Sequence, residues 1–452
     1  MRTFQDLEQA QDKPKFIFDA ITEYKASAEY LKAETGYSYY KGENIKILSR
    51  LNFLQRIGIN LDVTFHKLRN QFFPKATKQV VFYTIGNGLT MDEAKKQRFG
   101  KKFEKQLIQA AIYSFWGGVA WLFPNLVKDG EYNVKVFSPL EAFGLFDEYD
   151  GSAKALIRFW QIDDDKPMMI EFYTIDGLTK YRSIEGKIEE VSPLMAYKLT
   201  INKDIISEEI VSTDNYPSFP CIPMYANMLH KSEFSDALKE SIDAYDFINS
   251  DLIDGIIQVD GAYWDIINCA GQEAEEIIQT IQKWKAVIFN DDKSGAKSNV
   301  IESPYLGKQA ALESLLQDMY DDFMALNIKA IQGGSLTNVA INVAKTDLDL
   351  KADELEWQIA DVVENIMELL GIEWEEPRFS RRSITNDTEI INNISTQLSD
   401  GSIDLEEAVF LSPNILESRK SDLLERLEAS ILEKADAVAP IEVNDGRDTQ
   451  IE

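Results

Sequence analysis

Side chains able to do covalent or metal chemistry are sparse in this chain of 452 residues. There are two histidines, His66 and His230, and two cysteines, Cys221 and Cys269. Neither histidine has a partner at metal-ligand spacing and the cysteines form no CxxC pair, which argues against a zinc site. His66 falls in a stretch read as helical and is expected to be a plain surface or core residue. Asp163, Asp164 and Asp165 stand between two strand-like runs before Pro167, the setting of a solvated turn rather than a cation site. Asp291 and Asp292 read the same way. Asp347, Asp349 and Asp353 are staggered around a helix and cannot converge without partners from elsewhere. No Ser/His/Asp or Cys/His set stands out. No glycine-rich cradle followed by Lys-Ser/Thr offers to bind a nucleotide phosphate. These absences predict a protein that is not an enzyme and needs no metal or cofactor.

One loop remains. Gln332, Gly333, Gly334, Ser335, Leu336, Thr337 and Asn338 separate two amphipathic helical segments, 308–331 and 341–371. The loop contains no lysine, so it is a poor phosphate site. It reads instead as a passive surface held out by a helical scaffold. At 1.5 Å per residue the second helix would run on the order of 45 Å, so it is expected to pack along neighbours over its whole length.

The remaining elements form a mixed frame. A first helix is predicted over 16–34, broken at Gly36, and another over 61–73. Val80–Thr90 reads as a short strand entering a glycine turn. Residues 92–115 form a helix whose first half carries Lys95, Lys96, Arg98, Lys101, Lys102 and Lys105. From 131 to 211 the hydrophobic period changes to two, and turn signals such as Asp176-Gly177 and Glu185-Gly186 mark an antiparallel meander. Three prolines in 216–223 indicate an extended linker. A long helix over 234–258 places Leu238, Ile242, Tyr245, Ile248, Leu252, Ile256 and Val259 on one stripe. A small αβ insert follows, with a helix over 272–284, a strand over 285–289, a turn over 290–298 and a strand from Asn299. Residues 384–435 read as helical, with a cap at Asn386, and 436–452 as a disordered acidic tail. The fold class is therefore α+β, mainly helical.

The chain carries 47 basic and 76 acidic residues, a net charge of −29. Residues 1–120 hold 19 Lys/Arg against 12 Asp/Glu, net +7, which leaves −36 for the remainder. This asymmetry suggests two faces with different partners. The opening residues are polar and mixed in charge, so no signal peptide is expected. No run approaches the roughly 18 apolar residues of a membrane span. With two isolated cysteines, assembly in a reducing, intracellular compartment is expected.

Five strings in this order resemble the portal proteins of tailed bacteriophages, of the siphophage type with a compact C-terminal crown. Tyr39–Ile45 (YYKGENI) is similar to a double-tyrosine–glycine element, and Val81–Thr90 (VFYTIGNGLT) to an aromatic segment with a glycine turn. Residues 222–256 look like the entry to a stem helix, 336–359 like a tunnel loop and its following helix, and 377–415 like the crown. The resemblance implies a wing over 1–223, a stem helix over 224–258, a clip over 259–307 and a second stem helix over 308–331. It further implies a tunnel loop over 332–340, a long helix from stem to wing over 341–379 and a crown over 380–435. It implies a homo-oligomeric ring, usually of twelve subunits, at one capsid vertex of the virion, assembled in the bacterial host cytoplasm. Double-stranded DNA would pass through its channel in weak, sequence-independent contact. The terminase large subunit would dock at the clip, and a head-completion adaptor or neck protein, major capsid protein and scaffolding protein would be further partners, without a membrane. Gln332–Asn338 would line the channel, with Lys329 and Lys345 as flanking cations. Leu348, Leu355, Ile359, Val362 and Ile366 would lie between subunits. Another phage head or neck component is the alternative, and an unrelated soluble two-domain enzyme a third reading.

Overall fold

The computed structural model describes residues 2–50, 66–128, 131–184, 186–203, 208–258, 263–267, 295–299, 305–331, 338–381 and 387–412, with the isolated positions 423 and 426. The chain divides into two units. One comprises 1–327 and 347–382, the other 328–346 and 383–452.

The first unit opens with helices α1 (Phe4–Gln9), α2 (Lys13–Lys25) and α3 (Ala28–Tyr40). Asp12 and Ser27 cap the backbone N–H groups of Lys15 and Tyr30, which replaces the single predicted helix by two. Gly36 does not break α3, because a Cβ there would lie 2.2 Å from the Trp116 carbonyl oxygen. Close helix approach, rather than a turn, requires this glycine. The short helix α4 (Ile45–Leu48) follows. Helix α5 (Phe72–Ile85) stands where a strand was predicted, and residues 66–71 are irregular where a helix was predicted. The reason is periodicity: Phe72, Phe73, Ala76, Val80, Val81 and Ile85 are buried at intervals of one, three and four.

A two-residue strand, β1 (Leu89–Thr90), leads to α6 (Glu93–Arg98) and α7 (Phe103–Gly117). The predicted single helix over 92–115 is interrupted at Gly100, whose φ of 86° lies in the left-handed region. Strands β2 (Val119–Lys128) and β3 (Glu131–Phe137) form a hairpin. The meander is present: β4 (Ala142–Phe146), β5 (Ala153–Trp160), β6 (Met168–Thr174), β7 (Gly177–Ile184) and β8 (Lys187–Met195) pair in sequence order as one antiparallel sheet. Strands β9 (Lys198–Lys203) and β10 (Glu208–Asp214) pair separately. The proline linker ends in β11 (Ile222–Tyr225), which adds to β2. Phe16, Ile17, Ala20, Ile21 and Tyr24 of α2 lie against Phe143, Leu145, Ile157, Phe159 and Ile170 of the five-stranded sheet in one buried core. Each Leu, Ile or Phe buried there stabilises by about 1.5–3 kcal/mol.

Helix α8 (Asp236–Gln258) follows, then strands β12 (Tyr263–Ile267) and β13 (Gly295–Asn299), which pair antiparallel. Strand β13 occupies part of the stretch assigned to a turn. The predicted elements at 272–289 lie outside the described residues. Helix α9 (Tyr305–Phe323) packs on α8. It stops short of the predicted 331 because Met324 adopts a φ of 58°. Helix α12 (Thr346–Leu370) completes the helical core of the first unit, and β14 (Arg378–Phe379) pairs with β1. In the second unit lie α10 (Ile328–Ile331), α11 (Asn338–Ala344), α13 (Asp387–Asp400) and α14 (Leu405–Leu411). Gly401, with φ of 78°, turns the chain between the last two, and Asp404 and Glu407 form a capping box. The predicted cap at Asn386, the final helix and the acidic tail lie outside the described residues.

The apolar stripe of α12 requires a correction. Leu348, Leu355, Ile359, Val362 and Ile366 are at most 2% exposed in the single chain. They hold this helix inside its own subunit and are not free to meet another. Ile359→Asp would bury an unpaired carboxylate, at a cost of several kcal/mol. The expected outcome is loss of the folded chain itself, read as collapse of the far-ultraviolet circular dichroism of the soluble fraction. A well-folded monomer would contradict this placement.

Candidate functional site

Helix α8 carries an apolar stripe, yet its most completely buried row is polar. Asp243, Asp246, Ser250 and Asp254 are 7, 0, 0 and 5% exposed, whereas Ile256 of the predicted stripe is 52% exposed. The row is matched by the irregular segment before α5. The backbone N–H groups of His66, Leu68 and Asn70 donate to Asp254 Oδ1, Ser250 Oγ and Asp246 Oδ1 at 3.0, 2.9 and 2.8 Å. Two residues of extended chain advance about 6.6 Å and four residues of helix about 6 Å, so the two periods stay in step. An extended backbone segment thereby gives its otherwise unused donors to one side chain per helical turn.

Further donors complete the row. Asp246 also accepts from Asn70 Nδ2 and Asn44 Nδ2, both at 2.8 Å. Burial pushes its carboxyl pKa up, opposed by those bonds. Tyr39 Oη donates to Asp243 Oδ1 at 2.5 Å, and burial with that bond drives the phenol pKa far up. His66 Nδ1 lies 2.8 Å from Asp254 Oδ1, so this histidine belongs to the row and not to a helix surface. Arg50 Nη1 approaches Asp254 Oδ2 at 3.7 Å.

A second polar cluster gathers on α12. Arg381 engages Glu356 through Nε at 2.7 Å, Asp349 through Nη1 at 3.3 Å, and Asp353 through Nη2. This is the partner from elsewhere that Asp349 and Asp353, two of the three staggered aspartates, needed. Tyr83 Oη donates to Asp349 Oδ1 at 2.5 Å, and burial with this bond pushes its pKa up to about 12. Lys351, only 8% exposed, pairs with Glu233 at 2.5 Å and lies 4.1 Å above the Phe323 ring. Buried lysine is tolerated there because both its charge and its stem are matched.

The other chemical candidates are placed as follows. Cys221 is buried and desolvation pushes its thiol pKa well up, whereas Cys269 lies outside the described residues. His230 stacks on Tyr225 with ring centroids 3.7 Å apart, and both line a cavity of about 570 Å³ together with Tyr24, Trp121, Phe143 and Phe234 among others. No group of ligating side chains suited to a metal occurs among the described residues. Asp163–Asp165 form an exposed turn. Asp291 and Asp292 lie outside the described residues. Of the basic helix, Lys95 pairs with Glu375, Lys96 with Glu104, and Arg98 donates to the Leu370 carbonyl. Lys101, Lys102 and Lys105 are exposed, with no ion pair among the described residues.

Of the predicted channel residues, Gln332–Thr337 lie outside the described residues and Asn338 opens α11. Lys329 is exposed on α10 and Lys345 is half-buried in the turn between α11 and α12. The sequence reading missed the polar row of α8, whose signal was acids and a serine spaced by three, four and four.

Residues 19–437 match the family described as phage portal protein, SPP1 Gp6-like. The chain belongs to this phage portal protein family. The family is structural rather than enzymatic. No match is found among curated proteins. Solved structures with a similar course include a chain of the virion of a native gene transfer agent particle, at 10% identity and a TM-score of 0.40, covering 76% of this chain and 89% of that one. Another is a chain from the neck of a native gene transfer agent particle computed with C12 symmetry, at 12% identity, TM-score 0.39 and coverage of 76% and 90%. A third comes from the neck of the empty particle computed with C6 symmetry, at 9% identity, TM-score 0.39 and coverage of 79% and 90%. No helix among the described residues of this portal-family chain is long and apolar enough to cross a membrane.

The polar row yields a prediction for this portal-family chain. Asp246 uses both oxygens as acceptors, so Asp246→Asn turns one of them into a donor facing donors. Loss of about 1–3 kcal/mol is expected, measured by urea denaturation of the full chain. Unchanged stability would mean that the row is not load-sharing.

Proposed function

We propose that the chain forms a closed ring, of about twelve copies, at one vertex of the virion, and that double-stranded DNA passes through its axial channel. The observation that carries this reading is the family match, which extends over residues 19–437. Packaging would be driven by a separate terminase docked at 259–307, with a neck or adaptor protein later taking that place. Capsid and scaffolding proteins would meet the outer surface, and assembly would occur in the bacterial host cytoplasm.

The chemistry of the sequence supports a passive conduit. DNA affinity rests on Lys/Arg contacts with phosphate, and Gln332–Ala344 contains no Lys or Arg. A net charge of −29 per copy would repel DNA from most of the ring. We place Gln332–Asn338 at the constriction, with Leu336 as its one large apolar side chain, and Lys329 and Lys345 at its margins.

The subunit contact is reassigned from the buried stripe of α12 to its outward side. Leu350 and Trp357, seven residues apart, are 54 and 56% exposed. Met228 and Leu229 are exposed as well, and the Met228 N–H donates to Glu354 between them at 2.8 Å. An apolar patch of this kind fits a copy-to-copy contact in a head-to-tail ring.

Leu336→Asp introduces a ring of negative charge at the proposed constriction. The ring should assemble as in the parent, while DNA packaged per head falls severalfold, measured by nuclease-protected DNA in particles carrying the variant. Normal packaging would contradict the placement of the constriction.

A further inference from the structure

A head-to-tail contact needs two unlike surfaces on every copy. The outward side of α12 supplies one. Leu350, Glu354, Trp357, Asp361, Glu364 and Glu368 follow one another at intervals of four and three residues, so they form a single stripe along the helix. Its first half is apolar, with Leu350 and Trp357 exposed. Its second half is acidic: Asp361, Glu364 and Glu368 are exposed, with no ion pair among the described residues. The second surface is a groove of about 800 Å³ between α4 and α8, lined by Ile47, Ala244, Phe247 and Ile248. Ile45 and Leu48 are exposed beside it on α4, and Phe247 is itself exposed. Cations border this apolar floor. Lys46 is exposed and reaches Asp243 only at 4.0 Å. The Arg50 guanidinium lies 4.5 Å above the Phe247 ring, and Lys67 donates to the Leu48 carbonyl. Of the acids in the lining, Asp243 is buried and bonded by Tyr39 and Lys239, which leaves Glu240 exposed. Both surfaces belong to the first unit. Helix α9 stands between them, packing on α8 and placing Phe323 under Lys351 of α12.

We infer that the outward stripe of α12 in one copy seats in the α4–α8 groove of the next. Trp357 is the anchor over Ile47 and Phe247, and Asp361 and Glu364 face Lys46 and Lys67. This deepens the copy-to-copy contact proposed above and rests on that reading. Three features favour a second copy as the occupant. The apolar half of the stripe matches the apolar floor, in the manner of a helix laid into a groove, and an exposed tryptophan is the side chain most suited to anchor it. Leu350 and Trp357 are seven residues apart, as are Glu240 and Phe247, so the two helices offer matching lengths of about 10 Å. The charges are also complementary. Copies of net charge −29 repel one another, but residues 1–120 carry +7 and the remainder −36. A contact that places α4 of one copy on α12 of the next joins the cationic part to the acidic part and offsets that repulsion.

Charge reversal of the full chain, followed by sedimentation and native mass spectrometry, tests the seat. One variant carries Lys46→Glu and Lys67→Glu, and a second carries Asp361→Lys and Glu364→Lys. Each alone sets like charges against like and should stay unassembled at concentrations where the parent assembles. An equimolar mixture should assemble again, because each groove then meets a stripe of opposite charge. Trp357→Ala, at an exposed position, should raise the concentration of half-assembly at least ~10-fold, and it decides the matter if a charge-reversed chain fails to fold. Assembly of every variant as in the parent, or no recovery in the mixture of two folded variants, overturns the inference and leaves the ring reading standing. Two-fold dimers that fail and recover in the same pattern keep the seat and contradict the ring. A parent chain that is monomeric at every concentration contradicts both.

Discussion

A carboxylate leaves water only when its lone pairs meet donors, and the first unit depends on satisfying that demand along two helices. On α8 the donors are backbone N–H groups of a segment with no secondary structure of its own. On α12 they are the three nitrogens of one guanidinium and a phenol. Unpaired, each of the buried acids Asp243, Asp246 and Asp254 of α8 would cost several kcal/mol, whereas Asp353 of α12 keeps 45% of its side chain exposed. Paired, they fix the register of the segment before α5 and the exit of the chain after α12. Polar bonds are directional, so they specify position more narrowly than the apolar core can.

This division of labour suits the member of a portal family. The apolar cores, α2 on the five-stranded sheet and α12 within its own chain, provide stability that does not rely on neighbours. The polar rows fix the alignment of two long helices, α8 and α12. Lys351, held by Glu233 above Phe323, links the same α12 to the chain entering α8. Gln332–Asn338, where we propose the constriction, contains no Lys or Arg.

Much of the fold was legible because period two and period 3.6 are distinct. The meander and α8 follow from spacing alone, whereas the predicted helices over 308–331 and 341–371 are interrupted, after Phe323 and at Lys345. Val80–Thr90 misled because a β-branched and aromatic run is strand-like locally. Its continuation backward to Phe72 makes it helical, since packing overrode propensity. The extent of the first helix misled through Gly36, a residue that sequence reads as a breaker and tertiary contact with Trp116 reads as a spacer. The stripe on α12 was seen, but a stripe does not say which surface covers it: the same Leu348 and Ile359 would serve a subunit interface or an internal core. The polar row of α8 and the Arg381 cluster were not legible as sites. Their partners are separated by 176–202 residues for Asp246 and 25–32 for Arg381, and spacing along the chain does not show such pairings.

The central claim is that copies of this chain close into a ring around a channel. Electron-microscope images of the purified full chain at high concentration test it most directly. The account predicts end-on views of closed rings of about twelve copies with a central hole, since head-to-tail contacts that close generate such an object. Only monomers or two-fold dimers, with no axial opening at any concentration, would contradict it.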